Sequence, residues 1–108
     1  MAKTVFIAQP TSVMTTKEIQ SERSRISKAL LRKDIVPLNA KYDGNTANND
    51  STTLFVLGKA VQQLAVANAV LFCDNWREDR VCRLLHSVCV NFDIDMMTEN
   101  DFFKEDFS

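Results

Sequence analysis

Two stretches of the chain hold residue types that could do chemistry. The first is Gln9-Pro10-Thr11-Ser12, which follows an apolar run. The hydroxyls of Thr11 and Ser12 could donate to a phosphate, although such loops bind anions mainly through backbone amides. The second stretch runs from Asp74 to Cys89 and carries Asp74, Trp76, Arg77, Arg80, Cys82, Arg83, His86 and Cys89. Asp74 ends an apolar run, where an acid is either functional or a turn and capping residue. Trp76, the only tryptophan, could stack on a base or plug the end of a sheet. Arg77, Arg80 and Arg83 could pair with an anionic ligand or partner, or could form a solvated helix face. Cys82, His86 and Cys89 share one helical face, and thiolates and imidazole are zinc ligands. No second Cys/His cluster exists to close such a site, and the competing reading is a core stripe with His86 at its rim. The expectation is three reduced thiols, no metal and no cofactor.

The elements that must position these residues alternate in type. Residues 3–8 and 34–38 read as strands, the second with Pro37 marking an edge. Residues 68–73 and 92–97 read as the remaining strands. Helices are predicted over 16–33, 52–66 and 78–90. Thr15-Thr16-Lys17-Glu18 has the form of a capping box, opening a helix whose apolar stripe is Ile19, Ile26 and Leu30. Ser51 or Thr52 could cap the second helix, where Leu54, Leu57, Val61 and Leu64 recur at helical spacing. Gly58 inside it costs about 1 kcal/mol relative to alanine, and a close backbone approach would account for it. The Asn-rich segment 39–50 is the longest loop and the one expected to move or make contacts. This alternation predicts an α/β parallel sheet with right-handed crossovers. Ligands of such sheets bind beyond the carboxyl ends of the strands, where both chemical stretches fall.

With 108 residues the chain is expected to form one domain, over 1–97. Residues 98–108 form an acidic tail with Phe102, Phe103 and Phe107, which should be held against the domain or another subunit. A net charge of −1 provides no field for nucleic acid or anionic membranes, so neither is expected as a partner. There is no apolar run of membrane-spanning length and no signal-peptide pattern, and the expected location is cytoplasmic.

Several segments together carry a resemblance: Val5-Phe6-Ile7-Ala8-Gln9-Pro10, Glu18-Ile19 with Glu22-Arg23, Leu57-Gly58-Lys59, and Ala69-Val70 ahead of Trp76 and Arg80-Val81-Cys82-Arg83. In order and spacing the chain resembles the nucleoside 2-deoxyribosyltransferase-like proteins, and looks closest to a small branch found in phages and bacteria. The resemblance covers the chain to about residue 97. It implies a small Rossmann-like (flavodoxin-like) parallel sheet of four to five strands with helices on both faces. It also implies a nucleoside or nucleotide ligand beside the first loop, a homodimer, and a glutamate on the third helix that attacks the sugar to form an ester. On that resemblance the ligand-binding residues are Gln9, Pro10, Thr11, Ser12, Asp74, Trp76 and Arg80.

The departures fall on the positions the family uses. Its Ser-Gly is Ser12-Val13 here, its glycine before the cysteine is Val81, and its nucleophilic glutamate is Leu85. Active relatives also carry an aspartate near the second helix, where this chain has Gly58 and Lys59. Valine crowds a backbone that glycine opens, and leucine cannot attack. Glu78 lies seven residues before Leu85, about 10 Å along a helix, so it cannot replace the lost nucleophile. Asp74 is the better substitute. Two functions follow. The first is a pseudoenzyme with no catalytic residue, which binds a nucleotide-like small molecule or a bacterial protein partner, as an inhibitor of a host system would. The second is an N-glycosidase, transferase or hydrolase, using Asp74 as its acid.

Overall fold

A computed structural model describes residues 3–38 and 50–106, so the expected loop lies outside the described residues except for Asp50. The strands are β1 (Lys3–Ala8), β2 (Ile35–Leu38), β3 (Ala69–Phe72) and β4 (Asp95–Thr98). The helices are α1 (Thr16–Arg32), α2 (Asp50–Leu64), α3 (Arg80–Asn91) and α4 (Glu99–Asp106). The four strands form one all-parallel sheet in the order β2-β1-β3-β4. This is the expected α/β Rossmann-like architecture. Pro37 sits on the edge strand β2, where its missing amide costs no ladder bond.

Successive strand residues point to opposite faces, and the two faces bury different partners. Phe6, Ala8, Val70 and Phe72 join Ala60 and Leu64 of α2 and Cys82, Leu85 and Cys89 of α3. Val5, Ile7, Leu71 and Cys73 join Ile26, Ala29 and Leu30 of α1 and Phe102 of α4. Helices therefore cover both faces. Residues 99–106 of the expected tail form a helix that closes one of them, with Phe102 buried; Phe107 lies outside the described residues.

Local physics explains most boundaries. Thr15 caps α1 by accepting from the Glu18 amide at 3.1 Å, while the Glu18 carboxylate accepts from the Thr15 amide at 3.0 Å. The expected strand 92–97 is corrected to Asp95–Thr98. Phe92 caps α3, Asp93 takes a left-handed φ of 55°, and the Ile94 amide donates back to Cys89 at 2.9 Å. That is a Schellman ending with aspartate in the place of glycine. Two further expectations about α2 are corrected. Its buried face is Ala60 and Leu64 with Leu57 alongside, whereas Leu54 and Val61 are exposed. Ala60 sits where the helix meets the core, which turns the larger residues on either side outward. A side chain at Gly58 would meet nothing within 4 Å among the described residues, so no close approach by them accounts for that glycine.

Candidate functional site

Strand order reverses between β1 and β3, so the loops leaving these two strands flank the switch point where open sheets bind ligands. After β1, Gln9 and Pro10 are buried, and Thr11–Val13 forms a single 3-10 turn tied by the Val13 amide to the Pro10 carbonyl. After β3, Asn75 adopts φ 67°, and Trp76–Glu78 forms another 3-10 turn. That turn delays α3 by two residues from its expected start and makes Asp79 the N-cap.

Between these loops lies a cavity of about 60 Å³. Phe6, Ala8, Ala60, Val81, Cys82 and Leu85 make its walls apolar, and Gln9, Arg23 and Asp79 supply the polar groups. Pockets that enclose small organic ligands run to about 300–1,000 Å³. The space that the described residues enclose here is smaller than a nucleoside.

Asp79 is the acid of this crevice, and it is fully committed. It is 2% exposed and accepts from the Cys82 amide at 3.0 Å, from the Ser12 amide at 3.1 Å and from the Ser12 hydroxyl through a short bond. One carboxylate thus caps α3 and pins the β1 loop to it. The Cys82 thiol is pushed up, first by burial and then by Asp79, which keeps it a thiol. Burial likewise raises Cys89. On the other side Arg23 donates to the Gln9 side chain at 2.9 Å, and burial lowers its pKa.

Of the residues expected to bind ligand, only Gln9 lines the crevice. Ser12 stands beside it with both donors held by Asp79. Pro10 is buried, and Thr11 opens the 3-10 turn. Asp74 is exposed and does not reach the cavity; its charge is felt instead at Glu99. Arg80, the first residue of α3, is exposed. Trp76 stacks on His86 at 4.7 Å and tilts against Phe72 at 5.0 Å, so it plugs the end of β3. His86 is therefore an aromatic partner at the rim of the core, while Cys82 and Cys89 point into it. Val81 and Leu85 do form the crevice wall, but Val13 is half exposed and does not crowd it.

Sequence reading places Asp79 beside Glu78 at the opening of the third helix but prefers Asp74 as the acid; the structure puts Asp79, not Asp74, in the crevice wall. A local signal existed, since an aspartate three residues ahead of a free helical amide is a standard N-cap. Sequence reading missed a second polar group, on the opposite face. There the Gln9 amide donates to Glu22 at 3.2 Å, and Arg25 pairs with Glu99 at 3.2 Å. No protein-family model matches the chain, and no curated protein matches it. No helix among the described residues is long and apolar enough to cross a membrane.

Proposed function

We propose that this chain is a nucleoside 2-deoxyribosyltransferase-like protein that has lost glycosyl transfer and acts by binding. The observation that carries this reading is Leu85. It is 2% exposed in the wall of the switch-point cavity, at the position where the resembling family places its nucleophilic carboxylate. Splitting a glycosidic bond by way of a sugar ester needs a carboxylate free to attack the anomeric carbon. Among the described residues the carboxylate in the cavity wall is Asp79, and it already accepts from three donors. The small cavity volume favours a protein partner over an enclosed nucleotide.

The enzymatic alternative now passes from Asp74 to Asp79, because Asp79 borders the cavity and Asp74 does not. Purified protein assayed against the common deoxynucleosides and their monophosphates, with free base read by chromatography, separates the two readings. The expected result is no release above the buffer control. Release that Asp79→Asn abolishes and Asp74→Asn leaves intact would establish the glycosidase.

A further inference from the structure

We infer that Glu22, Cys73 and Glu99 form a binding site for a divalent cation of borderline softness, of the zinc class. The three residues lie on α1, at the end of β3 and at the start of α4, and their ligand atoms fall within 4.8 Å of one another. The site is distinct from the crevice and uses neither Asp79 nor the thiols of α3.

A second observation points to a ligand. Glu99 is 7% exposed, and its buried Oε1 has no hydrogen-bond partner among the described residues. A buried carboxylate oxygen left unpaired has lost its hydration with nothing in return. Its other oxygen, Oε2, accepts from Arg25 at 3.2 Å. The half-buried Glu22 accepts from Gln9 through Oε1 at 3.2 Å, and its carboxylate is also hydrogen-bonded to the Cys73 thiol. Each carboxylate thus has one oxygen oriented by an outer donor, the pattern by which metal ligands are held in place. The Cys73 thiol, fully buried, completes the group.

The donor set fixes the kind of ion. Calcium and magnesium take oxygen ligands alone, whereas one sulfur with two carboxylates suits zinc and its neighbours. Tetrahedral zinc with these bond lengths holds its ligands about 3.3–3.8 Å apart, so the side chains must close by about 1 Å. Glu22, the half-buried member, has room to do so. Binding forms a metal–sulfur bond and releases the Cys73 proton to solvent. Three anionic ligands exceed a divalent charge by one, and Arg25 supplies the balance. Three protein ligands leave a fourth position for water or a further ligand. An ion here would tie α4 to the sheet and to α1.

The test uses the full chain, freed of metal under reducing conditions and titrated with Co²⁺ and then Zn²⁺. The expected result is a near-ultraviolet thiolate-to-cobalt band that saturates at one ion per chain and is displaced by Zn²⁺, with a rise in Tm that Mg²⁺ does not give. Cys73→Ser should remove the band and Cys82→Ser should keep it. Glu22→Gln, on the half-buried ligand and so tolerant of folding, should weaken binding at least tenfold. Arg25→Ala should weaken it by about tenfold to a hundredfold, as loss of an outer partner does. No band in the wild-type protein would overturn the site. So would a band that survives Cys73→Ser or Glu22→Gln unchanged, or one lost with Cys82→Ser, which would place the ion among the α3 thiols.

Discussion

The two faces of the sheet end in two polar groups of opposite character. On the α2/α3 face, Asp79 meets three donors and spends them on architecture: it caps a helix and fastens the β1 loop. On the α1/α4 face, Glu99 is also buried but keeps one oxygen without a partner among the described residues, beside a carboxylate and a thiol. Gln9 touches both groups, lining the crevice and donating to Glu22. The difference teaches where capacity for chemistry remains. The switch-point crevice is lined by Leu85, Val81 and a satisfied aspartate, while among the described residues the buried carboxylate oxygen without a partner lies on the other side.

The largest expected effect tests the crevice face. Leu85→Glu puts a carboxylate among Phe6, Ala8 and Cys82, and should cost about 4 kcal/mol in denaturant unfolding without producing base release. A stable variant that cleaves nucleosides would mean that the crevice is still a working site. Next comes the anchor of the opposite face. Phe102→Ala should cost about 3 kcal/mol, because the ring is 3% exposed in the α1/α4 core. If its stability matches wild type, α4 does not close that face.

The sharpest contrast pairs the two acids. Asp79→Ala removes a cap and strands the Ser12 donors, and should cost about 2 kcal/mol. Glu99→Gln in metal-free protein should stay within about 1 kcal/mol of wild type, since it discards a charge whose burial is only half compensated. Equal losses from both would erase the distinction drawn between the faces.

A smaller effect concerns the helix that carries Glu22. The bonds from Thr15 hold the Glu18 carboxyl below its ordinary value. A lowered folded pKa adds stability above the unfolded value, and that stability is lost as pH falls through the folded one. Thr15→Ala keeps the backbone amide, the larger cause, and removes the hydroxyl, so it should flatten the acid limb of the stability curve slightly. An unchanged limb would mean that the Thr15 hydroxyl adds nothing in solution.

What was legible in the sequence was local or periodic. Thr15 and Glu18 form their box within four residues, and the unbroken apolar run Val5, Phe6, Ile7 and Ala8 reads as a strand buried on both sides. Element ends were less visible because the chain terminates helices without glycine. Asp34, Asn75 and Asp93 take the positive φ values that glycine would have advertised. Phe92 and Ile94 therefore looked like the first inward residues of a strand, although they end α3. The shift of the helix start from Glu78 to Arg80 had the same origin, in Asn75 and the turn after it, and it decided that Asp79 rather than Asp74 borders the crevice. The Glu22, Cys73 and Glu99 group had no local code at all. Its members are brought together only because α1 and α4 cover the same face.

The central claim, that the crevice performs no glycosyl transfer, is tested most directly by intact-mass spectrometry. The protein would be incubated with 2′-fluoro-arabinosyl nucleosides, whose fluorine slows the breakdown of any sugar–enzyme ester. The expected result is an unchanged protein mass at all incubation times. A gain of one fluorosugar that maps to Asp79 and disappears in Asp79→Asn would contradict it.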